Sequence, residues 1–153
     1  MGISTCLCLG TFEQPPCNEL AAVIAMDHIN LTGWNPLIGE NDESVGPRFP
    51  DMSKIYYKKI REQLKNFFTK TIGSTPSEKV LVAIEDPSYL NEAETEGLFE
   101  VDNYLYTKMF IFEAIAATHA RLKVGTVLLN YGLKLNNDTE KKIVQYFASL
   151  TDN

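Results

Sequence analysis

The sequence predicts an α/β layered domain, a small sheet flanked by helices. Three observations predict it. Apolar runs of strand length recur at residues 20–26, 79–84 and 124–131. Segments with helical periodicity lie between and after them. The two kinds alternate along the chain, the pattern of a sheet covered by helices. A chain of 153 residues has the length of one domain. At that size roughly two thirds of the unfolded surface is buried, enough for a real core.

Each element has its own justification. Residues 20–26 form a continuous apolar run, short enough for a buried strand, although the alanines leave a helix open. The segment from there to Pro50 holds too many Gly, Pro and Asn residues for regular structure. It is about twenty residues long, and a loop of that length ordinarily has a task. Asp51 or Ser53 is then placed to cap a helix. Ile55, Tyr56, Ile60, Leu64, Phe67 and Phe68 recur at helical spacing, with Lys58, Lys59, Arg61, Glu62 and Lys65 largely opposite. That pattern is an amphipathic surface helix. Residues 73–76 break it, and 79–84 follow as a buried strand. Residues 91–100 read as a short acidic helix, and 110–122 are apolar enough for a largely buried one. After the β-rich run at 124–131, Asp138 is placed to cap a last helix, with Ile143, Val144, Phe147 and Leu150 on one face. No internal repeat is visible.

Composition excludes several classes. The chain is 44% apolar and 22% charged, with a formal net charge of -6. No basic patch offsets that charge, which argues against nucleic acid as a partner. No apolar run approaches the ~20 residues of a membrane helix. No charged segment followed by an apolar one marks a secretory signal. Cys6, Cys8 and Cys17 are an odd number of cysteines without such a signal, the pattern of reduced thiols in a cytoplasmic protein. Their spacing with His28 fits no standard zinc site, and no metal is expected. Met1-Gly2 lacks the downstream Ser or Thr of a myristoylation motif, since Cys6 stands there. Asn30-Leu31-Thr32 and Asn137-Asp138-Thr139 are glycosylation sequons, meaningful only with secretion.

The irregular segment carries the strongest signal. It reads Asp27-His28-Ile29-Asn30-Leu31-Thr32-Gly33, then Asn35-Pro36-Leu37-Ile38-Gly39, Asn41-Asp42-Glu43, and Gly46-Pro47-Arg48-Phe49-Pro50-Asp51-Met52-Ser53. This run resembles the trimeric purine nucleoside phosphorylases, whose chains carry D-H-I-N-L-x-G, N-P-L-x-G, N-D-E and G-x-R-F-P-x-M-S in the same order. The resemblance extends more weakly to Tyr131, while residues 1–18 match poorly. It implies a partial phosphorylase-type layered domain, residues 1–153, lacking the N-terminal half of the family fold. A sheet edge normally covered by that half is then exposed, paired or rearranged.

The family reaction is phosphorolysis of purine nucleosides to free base and ribose 1-phosphate, with phosphate as co-substrate and no cofactor. It needs a phosphate cradle, a ribose platform and donors for the charge building on the departing base. The resemblance implies that Tyr89 is the aromatic ring over the nucleoside. It implies that Phe49, flanked by Arg48 and Pro50, reaches into the site of a neighbouring subunit. Other positions depart from the family. Leu90 stands for the Glu that binds the purine edge, and leucine makes no hydrogen bond. Met109 stands for a phosphate-binding Ser, and Lys108 for the Met beneath the ribose. The Asn that supports the base falls near Tyr131 or Gly132, with Asn130 close by, and Thr139 stands roughly for a His near the sugar. The glycine-rich phosphate loop, Arg and His of the family's first half have no counterpart. One lost preorganised donor typically costs ~3–4 kcal/mol of transition-state stabilisation.

Each sharp reading has a plain competitor. Lys108 could hold phosphate as a point charge, or be a solvated loop lysine. His28 and His119 match scaffold positions rather than acid–base groups. Glu40, Asp42 and Glu43 read as a solvated turn. Glu113, on an apolar helix, needs a partner if buried and matches a family glutamate outside the reaction centre. Tyr104, Tyr106, Phe110 and Phe112 most simply fill core. Three functions follow. The chain is a divergent enzyme that still turns over purine nucleoside with phosphate, its missing groups supplied by another chain and little or no activity expected alone. Or it is a non-catalytic subunit of a homo-oligomer, or of a hetero-oligomer with a full-length paralogue. Or it is a purine-binding module built on Tyr89. The intact run at 27–53 beside a substituted site favours the second.

Overall fold

The structure, a computed structural model, describes residues 4–12, 21–85, 103–107 and 109–151. Its elements are β1 (Thr5–Phe12), β2 (Ala22–Asn30), α1 (Lys58–Ile72), β3 (Ser77–Ala83), β4 (Tyr104–Tyr106), α2 (Ile111–His119), β5 (Lys123–Asn130) and α3 (Asn137–Thr151). The strands form one mixed sheet in the order β1-β5-β2-β3-β4. β1 runs parallel to β5, from Thr5 opposite Lys123 to Phe12 opposite Asn130. β2, β3 and β4 run parallel to one another. The two groups meet at three antiparallel pairs, Ala22–Leu129 to Ile24–Val127.

Strand alternation divides the core between the two faces of the sheet. Val23, Ala25, Val124 and Leu128 point to one face, beneath Ile111, Ala114, Ile115 and Ala117 of α2. Ala22, Ile24, Val127 and Leu129 point to the other, beneath Ile60, Leu64 and Phe68 of α1 and Ile143 of α3. The expected sheet with helices on both sides is therefore present. The run at 20–26 is a strand, not a helix.

Three expectations about helices need correction. The helix foreseen from Asp51 or Ser53 begins only at Lys58. The Asp51 carboxylate instead accepts from the Ser53 N–H at 2.9 Å, which turns the chain locally. Past Ile24, β2 no longer pairs with β5. Tyr56 bridges Val124 there, and the Tyr57 N–H donates to the Val124 carbonyl at 2.9 Å. That pairing holds Tyr57 extended, so Ile55 and Tyr56 are buried outside the helix. At α3, Asn136 rather than Asp138 caps the helix, accepting from the Thr139 N–H at 2.8 Å. Val144 is 65% exposed, and Tyr146 takes its place on the apolar face, stacked on Phe67 at 3.8 Å between ring centroids. β1 and β4 were not foreseen from the sequence. Residues 91–100 lie outside the described residues.

β1 is the edge strand on one side, and among the described residues nothing pairs with its outer edge. No helix among the described residues is long and apolar enough to cross a membrane.

Candidate functional site

The segment between β2 and α1 is irregular, yet side chains with short polar arms fix it at nearly every turn. The Asn30 amide oxygen accepts from the Thr32 N–H at 3.1 Å and from the Thr32 hydroxyl at 2.7 Å. Its amide nitrogen donates to the Trp34 carbonyl at 2.6 Å. Asn35 caps the next turn through the Leu37 N–H at 2.9 Å. The Asp42 carboxylate accepts from both the N–H and the hydroxyl of Ser44, and these bonds hold its pKa below the usual carboxylate value. Arg48 donates to the Gly39 carbonyl. Asn and Asp suit such turns because they bond their own backbone two residues on.

One contact ties this loop to the body of the fold. His119, at the end of α2, is buried, and its Nε2 lies 3.0 Å from the Asn41 amide oxygen. Asn41 in turn donates to the Gly46 carbonyl at 3.1 Å. Gly46 must be glycine here, because a Cβ would sit 1.9 Å from the His119 carbonyl oxygen. His119 is thus a scaffold residue, as expected. His28 has a different setting: its ring meets Tyr56 edge-on at 5.8 Å, its Nδ1 is buried without a hydrogen-bond partner, and burial lowers its pKa.

The loop turns apolar groups outward. Phe49 is 88% exposed, and Trp34 and Ile38 are each 71% exposed. Arg48 lies 6.0 Å from the Phe49 ring centroid. Behind Phe49 is an open cleft of about 380 Å³, lined by Asn35, Leu37, Ile38, Arg48, Pro50 and Met52 among others. An ordered backbone carrying several exposed large apolar side chains marks a surface made to be covered.

The region where chemistry was expected has a different character. Tyr89, Leu90 and Lys108 lie outside the described residues. Met109 is partly exposed, and its N–H donates to the Thr107 hydroxyl at 3.1 Å. Phe110 adopts the left-handed region at φ 68°, rare for an aromatic residue. Its ring lies on β1 at Gly10, where a Cβ would come within 2.3 Å of the Phe110 Cε2. Phe110 and Phe112 both pack against the α2-side core. Asn130 ends β5, and its amide oxygen accepts from the Gly132 N–H at 2.9 Å, closing a turn. Thr139 lies in the first turn of α3.

Several buried polar atoms were not singled out by the sequence. The Tyr56 hydroxyl and the Thr126 hydroxyl are buried without a hydrogen-bond partner. Burial pushes the Tyr56 pKa up, the Cys8 and Asp27 charges adding to it. Among the described residues, no group of three or more His, Cys, Asp or Glu side chains could hold a metal ion.

Comparisons with known proteins agree on one likeness. No family model matches the chain. It is 39% identical over 102 residues to purine nucleoside phosphorylase 1 of Geobacillus stearothermophilus, covering 67% of this chain and 37% of that relative. Its fold is similar to that of a purine nucleoside phosphorylase of Schistosoma mansoni solved with a monocyclic inhibitor. There the TM-score is 0.70 and the identity 25%, over 95% of this chain and 57% of the other. A schistosome purine nucleoside phosphorylase in complex with hypoxanthine gives a TM-score of 0.67 at 25% identity, over 99% of this chain and 60% of the other. The chain thus spans little more than a third of the curated relative's length.

Proposed function

The chain belongs to the purine nucleoside phosphorylase family, and from that premise we propose that it has little or no phosphorolytic activity alone and acts as an interaction subunit. In this reading it presents the loop carrying Phe49 to the site of a neighbouring subunit. That neighbour is a second copy or a full-length relative in the cytoplasm. The observation that carries the reading is Phe49 itself. It is 88% exposed on a loop that Asn30, Asn41, Asp42 and Arg48 hold in one shape. A large aromatic held rigidly outward loses little conformational entropy when a partner covers it, which favours association.

The weak chemistry follows from the groups available. Phosphorolysis requires phosphate to attack the anomeric carbon while the bond to the purine nitrogen breaks and charge moves onto the base. Donors must meet both the phosphate and the base. Met109, at the position of a phosphate-binding hydroxyl, offers only a weakly accepting thioether. Asn130 uses its amide oxygen to close a turn. Leu90 can neither donate nor accept a proton at the purine edge. If the chain still meets purine nucleoside, Tyr89 is the shelf for the base and Lys108 the cation for phosphate, without a metal or cofactor.

The experiment is phosphate-dependent release of base from inosine and guanosine. It is run with the chain alone and with the chain mixed with a full-length member of the family. The expected result is no release above background alone and a changed rate in the mixture. Phosphate-dependent turnover by the chain alone overturns the reading, and makes Lys108 and Asn130 the first residues to substitute.

A further inference from the structure

We propose that the loop between β2 and α1 is a pH-responsive strap: acid charges His28, releases its ring from Tyr56 and slackens the base of the loop, while His119 keeps hold of the middle. His28 and His119 are the only histidines of the chain. The fold sets each at an attachment of this loop. His28 precedes the loop on β2, and Tyr56 follows it, where the chain rejoins the sheet beside Val124. Their rings meet edge-on at 5.8 Å and so close the base. His119 meets Asn41 at 3.0 Å, near the middle of the loop.

The base is the weaker attachment because no ladder crosses it. On one side His28 pairs with Leu81 of β3. On the other, β2 has parted from β5 after Ile24, and the ring contact stands beyond the point where that ladder stops. Each ring brings a polar atom to the base that is left unbonded. The His28 Nδ1 and the Tyr56 hydroxyl are both buried without a hydrogen-bond partner. A neutral imidazole in that place leaves one nitrogen desolvated. An imidazolium there buries a cation, at a much larger cost. Its escape is a side-chain rotation toward solvent, since the residue is only half-buried.

The groups around His28 do little to compensate a charge. Tyr56, from the segment before α1, stays a neutral phenol, because burial pushes its pKa up. β3 presents Leu81 opposite. α2 brings Ile111, Ala114 and Ile115 to the core that Tyr56 belongs to, and none of them is charged. Among the described residues, the charge acting on the ring is Asp27, next to it on β2. Asp27 favours the charged form, but its carboxylate also accepts from the His28 N–H at 2.8 Å, and burial outweighs it. The ring therefore stays neutral until the pH falls below the ordinary 6.5. His119 answers acid differently. Its Nε2 donates to the Asn41 amide oxygen, and an imidazolium supplies that proton as well as the neutral ring does. Leu37 and Met52 also pack against the core, so the loop slackens at its base and does not leave. Phe49 and Trp34 ride on it, so acid weakens its grip on a neighbour. That consequence rests on the function proposed above, whereas the strap itself does not.

The test uses the full chain, without partner or nucleoside. Trp34, the only tryptophan, reports from the loop itself, its N–H and carbonyl held by Thr32 and Asn30. NMR follows both histidine rings and the Trp34 indole as the pH is lowered from 8 to 5. The His28 ring is expected to titrate with a midpoint below 6.5, and the indole to shift with the same midpoint. Amide exchange over residues 31–40, corrected for the intrinsic effect of pH, is expected to quicken roughly fivefold or more between pH 7.5 and 5.5. Exchange within α1 is expected to stay unchanged. His28→Gln cannot take the charge and is expected to lose both responses. The measurements on the unsubstituted chain decide the matter even if that variant folds poorly. A His28 ring that titrates at 6.5 or above, an indole that does not follow it, or an undiminished response in folded His28→Gln overturns the proposal.

Discussion

The loop between β2 and α1 and the turn between β4 and α2 use their side chains in opposite ways. The loop keeps its sequence, and its Asn, Asp and Arg side chains bond its own backbone while Phe49, Trp34 and Ile38 face outward. The turn into α2 places Met109 where the resemblance implied a serine, and Phe110 and Phe112 pack against the core as expected. One region is a polar frame with an apolar exterior. The other is a short turn whose aromatic rings are spent on packing. In the proposed reading the contrast separates two tasks, meeting a neighbouring subunit and holding a reacting nucleoside. Fold alone does not decide between them, because function resides in particular side chains.

The sharpest way to break the contrast is inside the second region. Ile111, at the start of α2, is fully buried. Ile111→Ala is expected to cost about 2–5 kcal/mol, lowering the melting temperature by roughly 5–15 °C in a domain of this size. An unchanged melting curve would mean that this region is not core. Gly46→Ala comes next, at about 1–3 kcal/mol, because its new Cβ meets the His119 backbone oxygen, which cannot rotate away. If it melts like the parent chain, the loop is not seated on α2.

A smaller effect reports on Phe110. Gly10→Ala is expected to destabilise by about 1–2 kcal/mol, and by clearly less when Phe110→Ala is present. The double-mutant cycle measures that coupling. Additive effects would contradict the contact between ring and strand. His28 gives a pH signature. Burial lowers its folded pKa below the ordinary 6.5. The unfolded chain therefore binds the proton more readily, and stability falls as pH drops through 6.5 toward the folded value. Denaturant midpoints for the parent chain and His28→Gln should diverge in that window, and parallel curves would argue against a buried neutral His28. Least of all should Phe49→Ala disturb stability, by no more than about 0.5 kcal/mol, since the ring touches little of its own chain.

Much of this was legible in the sequence, and the gaps have physical causes. The strands at the sheet centre announced themselves as apolar runs, because both of their faces are buried. The start of α1 was misread because Ile55 and Tyr56 extend the helical apolar spacing while pairing with β5 rather than coiling. β1 was missed because Cys, Gly and Thr dilute its apolar pattern. His119 is hydrogen-bonded into the scaffold, as the family pattern implied. The clasp between Asn41 and His119 was invisible, since those residues lie far apart in the chain and only the fold brings them together.

The most direct test of the central claim is a titration of a full-length phosphorylase of the family with this chain and, separately, with its Phe49→Ala variant, following base release from inosine. The account predicts that the parent chain changes the rate saturably, that the variant does so far more weakly, and that neither releases base alone. Equal effects of the two chains, or turnover by the isolated parent chain, would contradict it.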